Sequence, residues 1–176
     1  GGSGAVPDPP APAEARARAG GVRLACDPAQ GTLLQPGGAE IDLSGIAKGF
    51  AVDHGVEALQ ALGLADLLFE VGGELRGAGR RPGGQPWRVR IDGQAQAAGS
   101  IALADMAIAT SGDRWHRRAA GGRSWSHTIG PRTGQAGAGA LASVTVLHAQ
   151  CMQADALATV LTVVGPDDGF GFAVRH

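Results

Sequence analysis

Lys48 is the only lysine in a chain of 176 residues that also carries fourteen arginines. It stands in IDLSGIAKGFAVD (41–53), where Asp42 and Ser44 are good N-caps, so the stretch predicts the start of a helix. A helix N-terminus presents unpaired N–H groups and a partial positive charge, which suits a phosphate. Gly45 lets a ligand approach the backbone closely, and Lys48 adds a cation one turn in. A capped amphipathic helix with a solvated lysine gives the same pattern. The GxxxxGK[ST] spacing of a P-loop is absent.

Three further stretches hold groups of the right type. In QADALATVLTVVG (153–165), Asp155 and Thr159 are i, i+4 neighbours, so a carboxylate and a hydroxyl share one helix face. Hard oxygen donors of this kind suit Mg²⁺ completed by waters or substrate phosphates. A polar helix face with an acid in its first turn is the plainer reading. In SHTIGPRTG (126–134), His127 is a candidate general base, because its pKa lies near working pH; a surface histidine in a Gly/Pro-rich loop is the alternative. ATSGD (109–113) is a turn where Thr110 and Ser111 could bond a ligand, a weak signal because such turns are common.

The elements that must position these groups follow from periodicity. Val52, Val56, Leu59 and Leu62 form an apolar stripe after Lys48, and Gly63 is placed to end that helix. Leu157, Val160, Leu161 and Val164 form a second stripe, on the side opposite Asp155 and Thr159. VRLA (22–25) and TLL (32–34) predict a hairpin around Pro28 and Gly31. Strands are predicted over 66–77, with a Gly-Gly break, and over 87–91, 100–104, 106–110, 143–148 and 171–174. Residues 114–134 read mostly as loop, with a short strand near 126–129. Residues 1–20 read as a linker or truncated lead-in with a short helix over 13–19, and 21–176 as one domain. Runs of consecutive strands between helices argue for an α+β fold, a layered mixed or antiparallel sheet with packed helices.

Composition narrows the classes. Asn and Tyr are absent and Arg replaces Lys, as in proteins of high-GC genomes. The net charge of −1 gives no basic field, so there is no support for binding nucleic acid or a polybasic membrane role. No apolar run approaches the roughly 20 residues that span a bilayer. Cys26 and Cys151 lack CxxC spacing, so zinc is not expected and no disulfide is inferred.

In order, IDLSGIAKGFAVD, EVGGELRGAG, PWRVRI, AIATSGD, SHTIGPRTG and ADALATVL resemble the ApbE family of bacterial FAD:protein FMN transferases. The resemblance implies an ApbE-like, T-fold-like domain, here apparently without the family's N-terminal half. It implies Mg²⁺-dependent transfer of FMN from FAD to a threonine hydroxyl of a target flavoprotein bearing a Ser-Gly-Ala-Thr-like segment, with release of AMP. On the matching positions, Asp42, Lys48 and Ile129 would contact FAD. The Gly45 carbonyl, Asp155 and Thr159 would ligate the metal, and His127 would be the catalytic base. Gly130 stands where the family usually has Asp. A flavin carrier without transfer, or a structural domain with a degenerate site, carries the same blocks. The resemblance further implies a periplasmic location, an inner-membrane anchor in the full-length protein, and a sheet edge that pairs with a homodimer mate or with the missing half.

Overall fold

The computed structural model describes residues 14–15, 17–20, 24–35, 37–91, 99–112, 118–120, 123–125, 128–131, 134 and 141–175. The chain divides into two compact units, Gly1–Asp42 with Asp113–Ala142, and Leu43–Gly112 with Ser143–His176.

In the first unit, β1 (Ala25–Asp27) and β2 (Thr32–Leu34) form the hairpin that Pro28 and Gly31 predict, with Cys26 opposite Leu33. The Asp27 carboxylate accepts the Ala29 and Gln30 N–H groups at 3.0 and 3.2 Å, an Asx turn that closes the loop. Glu14, Ala15, Ala17 and Arg18 are helical, and Arg18 meets Glu40 at 3.1 Å.

The second unit opens on a turn at Ser44–Ile46 that leads into α1 (Ala47–Ala61). Then follow β3 (Leu67–Val71), β4 (Glu74–Ala78), β5 (Trp87–Arg90), β6 (Ser100–Leu103) and β7 (Met106–Gly112). β8 (Arg118–Ala120) and β9 (Arg123–Trp125) belong to the first unit, in the stretch predicted to be loop. The chain returns to the second unit through β10 (Ser143–His148) and α2 (Cys151–Arg175). One antiparallel sheet has the order β10-β7-β4-β3, while β5 and β6 pair separately. The expected single strand over 66–77 is a hairpin, because Gly72 and Gly73 turn the chain at φ 60° and 101°, which glycine adopts without strain.

α1 and α2 pack on this sheet and on each other. Val52 of α1, Ala107 of β7 and Cys151 of α2 meet in the core without exposure, with Phe69 and Val71 packed against them. The mixture of helices and antiparallel strands makes the fold α+β. α1 ends at Gly63 as its sequence predicts: Gly63 N–H donates to Gln60 O and Leu64 N–H to Leu59 O, at 2.9 and 3.1 Å. These two bonds are a Schellman motif. Leu62, the last member of the predicted stripe, lies beyond the helix and is exposed.

Three expectations change. The predicted strand over 171–174 is the C-terminal part of α2, past a break where Gly165 takes φ 79° ahead of Pro166. The buried face of α2 is Cys151, Ala154, Asp155 and Ala158, whereas the stripe of Leu157, Val160, Leu161 and Val164 is only half-buried. Small residues win the inner face because α1 crosses at backbone distance: a Cβ on Gly49 would lie 2.5 Å from the Cys151 carbonyl. Finally, α2 is long and apolar enough by length and composition to cross a membrane, which the residue-by-residue reading had not suggested. One face of it, with the buried Asp155, packs on β7, β10 and α1.

Candidate active site

Gly45, Lys48, Asp155 and Thr159 all lie in the second unit, where the turn before α1 meets the first two turns of α2. Gly45 packs over Thr159, since a Cβ there would stand 3.6 Å from the Thr159 Oγ1 and Cγ2. Thr159 Oγ1 also shares a hydrogen bond with Ser111 Oγ on β7 at 3.1 Å. Ser111 thus joins the cluster, and ATSG, expected as a turn, is instead the end of β7, paired with β10. Thr110 faces away, bonding Thr145 across the sheet at 2.9 Å.

Asp155 is 2% exposed, not on a solvated face as its helical position suggested. Its Oδ2 accepts the Gly49 N–H at 3.0 Å. Gly49 is the third residue of α1, so this donor is one the helix cannot satisfy internally. Neither Asp42 nor Ser44 is the N-cap: Ile46 holds that position and makes no side-chain cap bond. The cap comes instead from a residue 106 positions along the chain.

Lys48 does not stand free. Its Nζ donates to Glu74 Oε1 at 2.6 Å, with the lysine side chain 44% exposed and the glutamate side chain 2%. The Gly72–Gly73 turn makes this possible, because a Cβ on Gly72 would lie 3.2 Å from the Lys48 Cδ. Burial pushes the Glu74 carboxyl above the usual carboxylate range, and the ammonium of Lys48 only partly opposes this. Its second oxygen, Oε2, is buried without a hydrogen-bond partner among the described residues. Sequence reasoning missed Glu74; the available signal was a carboxylate directly after the Gly-Gly turn, at the start of a strand.

The other expected residues are not among those of the second unit that the structure describes. Asp42 and the exposed Ile129 belong to the first unit, and His127 lies outside the described residues. Among the described residues, no three His, Cys, Asp or Glu side chains gather into a metal-holding group. The donor set of the second unit is of another type: one deeply buried carboxylate, one hydroxyl and backbone at a glycine, beside a buried and unsatisfied carboxylate oxygen. Hard oxygens in that number fit a small divalent cation that completes its shell with water or phosphate.

The second unit thus sets a lysine, a buried aspartate and a threonine around the start of α1. The chain belongs to the ApbE family, whose model matches residues 1–176. It is 42% identical over 137 residues to an FAD:protein FMN transferase of Vibrio cholerae, covering 76% of this chain and 41% of that protein. To the enzyme of the same name from Haemophilus influenzae it is 38% identical over 141 residues, covering 77% of this chain and 41% of that one. Among solved structures it resembles the Pseudomonas stutzeri flavinyl transferase ApbE in its apo form, with a TM-score of 0.86 at 37% identity. That likeness covers 97% of this chain and 53% of that one. For the Vibrio cholerae flavin transferase ApbE the TM-score is 0.85 at 38% identity, over 98% of this chain and 55% of that one. The chain therefore spans about two fifths of the length of the curated relatives it matches.

Proposed function

We propose that this chain carries the metal- and diphosphate-handling part of an FAD:protein FMN transferase, with FAD as the substrate and a threonine of a flavoprotein as the acceptor. The observation that supports this most is the meeting of Gly45, Asp155 and Thr159 beside Lys48, in a chain similar over most of its length to enzymes of that name. Mg²⁺ would be held by the Gly45 carbonyl, Asp155 and Thr159, and when bound would neutralise charge on the diphosphate oxygens.

The protein's own groups do the rest. Glu74 holds the Lys48 ammonium by one of its three N–H donors, leaving the others for phosphate oxygens. Asp42 and Ile129 contact FAD, and His127 takes the proton of the threonine hydroxyl. The hydroxyl oxygen bonds to the phosphorus of the FMN half, the bridging P–O bond to the adenylate breaks, and AMP leaves with that electron pair. Positioning and charge neutralisation are the main demands of such a transfer. The acceptor threonine lies in a Ser-Gly-Ala-Thr-like segment, and the reaction takes place on the periplasmic side of the inner membrane.

FAD anisotropy titrations of the chain, with and without Mg²⁺, test this reading. Wild type should bind more tightly with Mg²⁺, and Asp155→Asn should lose that difference. Equal FAD binding by both proteins under both conditions would contradict it.

A further inference from the structure

α1 and α2 cap each other. Asp155 of α2 accepts the Gly49 N–H in the first turn of α1, at 3.0 Å. In return, Asp53 of α1 accepts the first two N–H groups of α2, Cys151 N–H to Oδ1 and Met152 N–H to Oδ2, both at 2.9 Å. Each helix thus satisfies orphan donors at the other's N-terminus with a carboxylate, which also suits the dipole there. Between the two caps the backbones touch at Gly49, where a Cβ would lie 2.6 Å from the Met152 Cα. The main chains meet directly there, so a shift of the first turn of α2 acts on the start of α1 without a side chain of Gly49 between them. Asp53 is itself held from the sheet by Arg76 of β4, whose Nη1 donates to Oδ1 at 2.7 Å; the two side chains are 13% and 22% exposed.

We propose that Asp53 is a positioning residue for the site: by seating the first turn of α2, it fixes Asp155, one turn further on, against the start of α1. Thr159, a second turn along, then keeps its place under Gly45. This rests on the reading of Asp155 and Thr159 as metal ligands, but its structural half can be tested without activity. The two caps must be coupled: loosening the Asp53 end must loosen the Asp155 end, although the two carboxylates share no hydrogen-bond partner among the described residues.

Amide hydrogen exchange by NMR tests the coupling in Asp53→Asn, which keeps the shape and one acceptor, and in Asp53→Ala. Val56→Ala, a core truncation on the same helix, is the control for plain loss of stability. In the Asp53 variants, the protection of Gly49 should fall roughly tenfold more than that of Ala107 in the central strand, about the worth of a helix cap. In Val56→Ala the two amides should fall together. If the Asp53 variants also lower both amides in parallel, Asp53 is merely structural and the proposal is overturned. A second readout is the Mg²⁺ concentration that half-saturates flavin transfer. It should rise roughly tenfold in Asp53→Asn with a smaller change in kcat, and stay put in Val56→Ala. A loosened Gly49 with unchanged Mg²⁺ dependence overturns the positioning role. A wild-type protein without Mg²⁺-dependent transfer contradicts instead the reading of the site itself.

Discussion

Lys48 was singled out because nothing else in the chain is a lysine, and its setting explains why arginine would not serve. It threads past the Gly72 backbone at close contact to reach one buried carboxylate oxygen. A planar guanidinium is larger and favours bidentate contacts, so Lys48→Arg should disturb both the Glu74 pair and the phosphate contacts. Its kcat/KM for FAD should fall by roughly ten- to a hundredfold, the worth of a hydrogen bond to a charged group; unchanged turnover would remove Lys48 from the site. Glu74 makes a separate prediction in pH. Its folded-state pKa is raised, so the native state holds a proton that the unfolded chain releases. Stability from this group therefore falls as pH rises from the ordinary glutamate value, about 4.3, to the raised one, and is flat above it. Glu74→Gln cannot titrate, so urea midpoints measured across this range should show a shallower decline than wild type. Parallel curves would contradict the assignment. Cys151 offers a simpler check: burial, with the nearby Asp53 charge second, pushes its thiol up to about 12. Iodoacetamide at neutral pH should label the exposed Cys26 and spare Cys151, and rapid labelling of both would show that the core is not closed around α2.

At the scale of elements, local periodicity found most of what it could find. The Gly63 stop, the β1–β2 hairpin and the strand over 143–148 follow from signals within a few residues of each element. What failed were features decided by distant partners. Asp42 and Ser44 are good caps by composition, but Asp155 supplies the cap, and no local rule sees across 106 positions. The stripe of Leu157 to Val164 is the larger apolar face, yet the crossing at Gly49 admits only small residues. At the C-terminus, GFAV reads as a strand in isolation and is helix beyond the Gly165 break. The crossing itself is testable. Gly49→Ala would gain up to about 1 kcal/mol in helix propensity, but its methyl meets main chain at 2.5 Å, which a side-chain shift cannot relieve. Overpacking of this kind costs about 1–3 kcal/mol, so denaturant unfolding should show a net loss together with weaker Mg²⁺ dependence. A variant as stable and as active as wild type would show that the helices do not cross at backbone distance.

For the molecule as a whole, the family was legible because six short blocks keep their order, and three of them supply side chains that meet in the second unit. EVGGELRG supplies the Gly-Gly turn and Glu74, AIATSG supplies Ser111, and ADALAT supplies Asp155 and Thr159. The pairing of Lys48 with Glu74, and of each helix start with the other's aspartate, was not legible, because these pairs join blocks rather than lie within one. We propose that this arrangement serves Mg²⁺-dependent flavin transfer. The most direct measurement incubates the purified chain with FAD, Mg²⁺ and an acceptor protein bearing a Ser-Gly-Ala-Thr segment. Flavin fluorescence is then read on the acceptor band after denaturing electrophoresis, with EDTA and Asp155→Asn as controls. A fluorescent acceptor band that disappears in both controls is the predicted result. A band that persists with EDTA and in Asp155→Asn, or an acceptor that stays dark with the wild-type chain, would contradict it.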